Sequence, residues 1–157
     1  MAKLTNVRDT VEIANCARTL ALPVKAGTVI YQGAFVAVDD SGMAVPAQKA
    51  EGLRAAGRAE ETADNGNGKD GDCSVQVKRG VFIWNNTATA ADKVSEEHVL
   101  GPCYMEDDQT VTANAAGASV AGIVIRVGLD GVAVELAPAL GVSGTAGADE
   151  TDSKQEQ

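Results

Sequence analysis

Aromatic residues are nearly missing from this chain: two Tyr, two Phe and one Trp amount to 3% of it. The 45% hydrophobic fraction is therefore carried largely by Ala and Val. Side chains this small stabilise weakly, since the gain scales with apolar area at about 25 cal/mol per Å². A length of 157 residues suits one domain with one core, so the thin core predicts that further surface is buried between copies of the chain. Basic charge is also scarce, with 13 Lys and Arg against 22 Asp and Glu and a formal net charge of −9. No run of Lys or Arg interrupts that balance, which argues against a nucleic-acid partner. Long apolar runs are lacking as well: nothing approaches the ~18 residues of a membrane helix, so no membrane partner is expected. The opening MAKLTNVRDT has no signal-peptide core, which predicts synthesis in, and retention by, a cytosol. Cys16, Cys73 and Cys103 form an odd set without a CxxC pair, which fits neither a disulfide framework nor a zinc site. They read as small buried hydrophobes in a reducing compartment.

What is present is β-sheet punctuation. Short Val, Ile and aromatic runs alternate with Gly and Asp clusters from Lys25 onward. Thr28 to Tyr31 reads as a strand, with Ala34 to Val38 continuing the pairing after Gln32 and Gly33. Asp39 to Gly42 then turns the chain into Met43 to Pro46. The same layout recurs at Cys103 to Glu106, Asp107 to Gln109 and Thr110 to Ala113, and again at Gly122 to Val127, Leu129 to Gly131 and Val132 to Leu136. These segments predict three hairpins with acidic tips, because Asp bonds its local backbone and Gly accepts positive φ. Leu53 to Glu60 and Cys73 to Trp84 read as longer strands. In the latter Val75, Val77, Val81 and Ile83 fall on one face by the period of two, which leaves Phe82 and Trp84 on the nominally exposed side. Aromatics there suggest a covered surface, and Phe82 and Trp84 become the candidate subunit-interface residues. Ser95 to His98 is the one helix signal, ended by Gly101 and Pro102.

The ends differ from the middle. β-Branched residues at Thr5, Val7, Thr10, Val11, Ile13 and Thr19, followed by Pro23, tilt residues 1–22 towards an extended N-terminal arm, although a short helix after Asn6 also fits. Residues 23–137 form the β domain. Residues 138–157, small, polar and acidic, lack the apolar area to offset their ordering entropy and read as a disordered tail. The fold class is thus all-β, mainly strand with one short helix: a small hairpin-rich barrel or sandwich, β-tulip-like, with an N-terminal arm.

No catalytic template is satisfied. His98 is the single histidine, and a triad would have to pair it with Cys103 or with the distant Cys16 or Cys73, without a GxSxG elbow. The GNGK of residues 66–69 fails as a phosphate loop, because Ala63 stands where Gly is needed and Asp70 where Ser or Thr is needed. Residues 65–72 read as a mobile hairpin loop, and Asp64, Asp70 and Asp72 offer at most an incidental calcium site. The acidic pairs Glu60 and Glu61, Glu96 and Glu97, and Asp107 and Asp108 point to opposite sides of an extended strand and make no acid/base couple. No catalytic residue, metal or cofactor is expected.

The ordered segments NVRDTVEIA, AGTVIYQGAFVAV, GLRAAGRAEE, VKRGVFIWNN, CYMEDDQTV and AGIVIRVGLDGVAVEL resemble the small capsid decoration, or cement, proteins of tailed bacteriophages and prophages, over most of the chain up to Leu136. The resemblance implies a structural virion protein, made in the bacterial host cytoplasm and placed on the outer capsid surface. It implies a homotrimer that clamps neighbouring major capsid protein subunits of an expanded icosahedral head. Lys3, Leu4, Thr5, Asn6, Val7, Arg8 and Val11 are then the candidate capsid-binding residues, since an extended arm can add a strand to a partner's sheet edge. Two other functions compete: a surface-exposed adhesive or carbohydrate-binding head module, which needs an aromatic platform, and a small trimeric hydrolase with a site assembled between subunits.

Overall fold

The computed structural model describes residues 19–136. They form an all-β body of twelve strands: β1 (Thr19–Pro23), β2 (Thr28–Ile30), β3 (Phe35–Val38), β4 (Ala44–Pro46), β5 (Arg54–Ala59), β6 (Ala63–Asn65), β7 (Ser74–Lys78), β8 (Val81–Asn86), β9 (Pro102–Met105), β10 (Thr110–Thr112), β11 (Val120–Gly128) and β12 (Gly131–Glu135). Two single 3₁₀ turns, Ala90–Asp92 and Glu96–His98, interrupt them. The second is the expected helix, with Ser95 at its N-cap.

The strands make two main sheets. One is a closed five-stranded barrel in the order β10, β8, β12, β11, β9, antiparallel except where β10 runs parallel to β8. The other is five-stranded, in the order β1, β7, β5, β3, β4. It curls until Val24 bridges Ala44, with the Lys25 N–H donating to the Ala44 carbonyl at 3.1 Å. All three acidic-tipped hairpins are present, as β3–β4, β9–β10 and β11–β12.

There are two cores, and β3 is the wall between them. Phe35 and Ala37 face the barrel core with Trp84, Met105, Val124, Val132 and Val134, while Val36 faces the second core with Ile30, Val75 and Val77. A strand buried on both sides needs an unbroken apolar run, which is what residues 34–38 supply. β5 shares the wall by the same alternation, with Ala55 on one side and Ala56 on the other. A bulge sits where Gly57 faces Val36. A Cβ at Gly57 would lie 2.3 Å from the Lys78 carbonyl oxygen, so only glycine lets β7 approach there.

Three expectations are corrected. β2 pairs not with its neighbour β3 but with β6, Thr28 against Asn65 and Ile30 against Ala63. Tyr31 to Ala34 is a tight turn, closed by the Ala34 N–H on the Tyr31 carbonyl at 3.0 Å, and it hands the chain from one sheet to another. Cys73 to Trp84 is not one strand but two, β7 in the curled sheet and β8 in the barrel, separated by Arg79 and Gly80. The two-residue junction inverts the phase. Val75 and Val77 point inward on β7, whereas on β8 Phe82 and Trp84 point inward and Val81 and Ile83 are exposed. Finally, β1 begins at Thr19, inside the segment read as the arm.

Candidate interaction surface

Each residue singled out from the sequence now has a place, except those outside the described residues. Lys3, Leu4, Thr5, Asn6, Val7, Arg8 and Val11 lie outside them, as do Cys16 and residues 138–157. Phe82 and Trp84 are inside the chain's own fold. Trp84 is 5% exposed and stacks on Phe35 at 5.0 Å between centroids, with Phe82 edge-on at 6.1 Å. Phe82 is half-buried and covered by the Arg58 guanidinium, 4.6 Å from its centroid. The premise that these aromatics lie on an exposed face is overturned by the phase change at Gly80, and a side chain as buried as Trp84 has little surface to offer a second subunit. Its indole Nε1 is buried without a hydrogen-bond partner.

The point where residues 1–18 join the described residues is defined. β1 is the edge of the curled sheet: β7 is bonded along one side, Thr19 against Lys78 through Pro23 against Ser74, and among the described residues no strand lies along the other. Thr19, Leu20 and Ala21 are exposed. Beside them is a recess of about 200 Å³ lined by Leu20, Leu22, Val38 and Ala56 and by the side chains of Arg54 and Arg79. At the other end of the described chain, the Leu136 N–H donates to the Gly80 carbonyl at 3.1 Å. The segments before Thr19 and after Leu136 are thus both attached at the β7–β8 junction.

The acidic tips are structural as well as charged. Asp39, 7% exposed, accepts the Ser41 and Met43 amides at 2.9 and 3.0 Å through Oδ1 and the Lys25 ammonium at 2.6 Å through Oδ2. Those bonds, the Lys25 one foremost, hold its pKa below the ordinary carboxylate value and raise that of Lys25. The tip of β9–β10 is wedged between the two sheets: the Phe35 N–H donates to the Asp108 carbonyl at 2.7 Å and the Asn85 N–H to the Gln109 carbonyl at 2.8 Å. Burial there, with the charge of Asp107, raises the Asp108 pKa. At the third tip Asp130 accepts both terminal nitrogens of Arg126, at 3.0 and 2.8 Å, and its pKa is lowered by that bond.

Residues 65–72 are tied down by side chains. Asn65, 4% exposed, donates its amide to the carbonyls of Val24, Lys25 and Lys69. Asp64, Asp70 and Asp72 each accept a backbone amide, from Gly66, Ala26 and Lys69. Their oxygens are directed at the polypeptide, and no acidic, His or Cys cluster able to hold a metal occurs among the described residues. The paired carboxylates are likewise separated: Glu60 binds Arg58 at 2.7 Å, and Glu61 accepts the Gln76 amide. His98 Nδ1 accepts the Ser95 N–H at 2.9 Å, so the nitrogen that an orienting carboxylate would hold in a triad closes a capping box instead. Cys103 is fully buried, and burial pushes its thiol pKa up to about 12.

Sequence reading missed two exposed features. Tyr31, the most exposed aromatic at 65%, borders a recess of about 380 Å³ with Gln32, Asp108 and Gln109. The outer face of the barrel carries Val81, Ile83 and Ile125 in the open, beside Leu100. The even spacing of Phe82 and Trp84 carried the signal for the second, since aromatics at that phase force the aliphatics out. Comparison with protein-family models, with curated proteins and with solved structures gives no match.

Proposed function

We propose that this chain is a structural virion protein that binds the outside of an expanded icosahedral phage head and stabilises it by clamping neighbouring major capsid protein subunits. The observation that carries the reading is the position of β1. Residues 1–18 run into an edge strand whose second side has no partner among the described residues, so an arm and a free sheet edge meet at one place. A partner strand laid along that edge gains backbone hydrogen bonds without needing matched side chains. The pinned acidic tips and the two-core body make a compact peg from which such a contact extends, and repetition over a lattice multiplies weak contacts by avidity. The segment order from NVRDTVEIA to AGIVIRVGLDGVAVEL supports the same reading. Lys3, Leu4, Thr5, Asn6, Val7, Arg8 and Val11 are the proposed capsid contacts, the assembly is a homotrimer, and no enzymatic step, nucleic acid or membrane is invoked. Removal of residues 2–11 tests it. Occupancy of expanded heads, read by co-sedimentation, is expected to fall at least tenfold, and undiminished occupancy refutes the arm's role.

A second reading, a surface-exposed adhesive or carbohydrate-binding head module, draws on Tyr31. Among the described residues the Tyr31 hydroxyl, the amides of Gln32 and Gln109 and the Asp108 carboxylate have no side-chain partner. An open aromatic face with unspent polar groups around it is the composition of a saccharide subsite. Loss of glycan-array signal in Tyr31→Ala, with head binding intact, supports it; an array without signal for the intact protein removes it.

A further inference from the structure

We infer that the recess beside β1, between its leucines and the arginines Arg54 and Arg79, is the seat of the chain's own C-terminal segment, residues 139–152. The inference stands apart from the virion reading and concerns the single chain. The recess, about 200 Å³, is walled by Leu20, Leu22, Val38 and Ala56, with Arg54 and Arg79 beside them and no carboxylate in its lining among the described residues. That volume is below the ~300 Å³ at which small-molecule pockets begin, and it suits a few side chains of a polypeptide. Leu20 is 38% exposed there. Both arginines keep unspent charge: Arg54 donates one terminal nitrogen to the Asp39 carbonyl at 2.9 Å, and neither guanidinium is ion-paired among the described residues. Arg79 is moreover half-buried, and an anion beside a partly desolvated cation is held more strongly than one in open water.

The place where the described chain ends selects the occupant. β12 runs antiparallel to β8, Val134 against Phe82 and Glu135 against Val81, and the Leu136 N–H then donates to the Gly80 carbonyl at 3.1 Å. One residue further along that side is Arg79, in the lining of the recess. The chain leaving Leu136 is therefore delivered to the recess, and the four residues up to Leu140 can span ~13 Å. Leu140 and Val142 offer branched aliphatics for the leucine wall. Asp149, Glu150 and Asp152 follow, with glycines at 141, 144 and 147 that let the chain turn back, and they supply carboxylates for the two guanidiniums. Residues 1–18 also start beside the recess, yet they carry Lys3, Arg8 and Arg18 against Asp9 and Glu12, a net charge of the same sign as the recess. Charge thus favours the C-terminal segment over the N-terminal one. Being tethered, that segment meets its seat at an effective concentration on the order of millimolar, so modest contacts hold it.

The test is amide hydrogen exchange of the full chain, read by peptide mass over residues 139–152, with a synthetic peptide of residues 137–157 as the unprotected reference. The variants are Arg54→Gln with Arg79→Gln, and Asp149→Asn with Glu150→Gln and Asp152→Asn. Lys69→Gln with Lys93→Gln, two bases outside the recess lining, is the control. In the natural protein and the control the segment is expected to exchange at least about tenfold more slowly than the peptide, and in both neutralised variants at the peptide's rate. Circular dichroism checks folding, and the carboxylate variant, altered only outside the described residues, decides the matter should the arginine pair fail to fold. Peptide-like exchange in the natural protein overturns the inference, as does protection that survives both neutralisations. Protection that falls as the protein is diluted gives the recess to the segment of a second copy, and protection that arises only on bound heads gives the segment to the capsid; either overturns the seat within one chain.

Discussion

Trp84 separates a core role from an interface role with a single substitution. Its ring is 5% exposed, stacked on Phe35 at 5.0 Å and 21° and touched edge-on by Phe82. Trp84→Ala opens a cavity at the centre of the barrel core, and burial of this kind is worth about 3–5 kcal/mol. For a folded body of this size that is a fall of on the order of 10–20 °C in Tm. Trp84→Phe behaves differently. It keeps most of the ring contact and deletes a buried Nε1 that has no hydrogen-bond partner, relieving a desolvation cost of about 1–3 kcal/mol. The smaller ring gives part of that back as lost packing, so the net change should stay within about 1 kcal/mol. The assay is urea unfolding followed by far-UV circular dichroism, because Trp84 is the only tryptophan and its fluorescence disappears with it. In the natural protein that emission should be blue-shifted and move to the red on unfolding. A Trp84→Ala protein that loses less than about 1 kcal/mol, or a Trp84→Phe protein as damaged as the alanine variant, contradicts the inward placement.

Asp39→Ala removes the acceptor of two turn amides and of Lys25, with an expected loss of about 1–3 kcal/mol by denaturant unfolding. Because the folded pKa of Asp39 is lowered, its contribution is present above the ordinary carboxylate range and lost as pH falls through the folded value. The Tm gap between the natural protein and Asp39→Asn should therefore hold from pH 5 to 8 and close below about pH 4. Gly122→Ala puts a Cβ 2.1 Å from the Glu135 carbonyl oxygen, and the forced shift should cost about 1–3 kcal/mol in chemical denaturation. With its thiol pushed up to about 12, Cys103 should resist maleimide labelling in the native protein at pH 7.5 and react once urea unfolds it; rapid native labelling at Cys103, read by peptide mass, refutes the burial.

Hairpins were legible because their signals are local. Asp39 to Gly42 and Leu129 to Gly131 sit between apolar runs, and the side chain of Asp39 alone satisfies two amides of its own turn. The all-β class followed from repeated signals of that kind. Pairing between distant strands was not legible. Nothing local in Thr28 to Ile30 says that its partner is Ala63 to Asn65. The phase of β8 was lost for another reason: alternation was carried across Arg79 and Gly80, where the chain passes from one sheet to the other. That junction exchanged inside for outside, turning Phe82 and Trp84 into core and Val81 and Ile83 into surface. Leu100 was invisible because its exposure depends on a backbone angle that composition does not report. The edge position of β1, unpaired on one side among the described residues, depends on the whole sheet order, so it was not legible in the sequence.

The most direct test of the decoration account is saturation binding of the purified full-length chain to expanded, undecorated heads of the same phage, with the bound copy number counted. The account predicts saturation at three copies per three-fold and quasi-three-fold position, and decorated heads that withstand heating which ruptures bare ones. Failure of a folded protein to bind at any concentration, or binding without saturation, contradicts it.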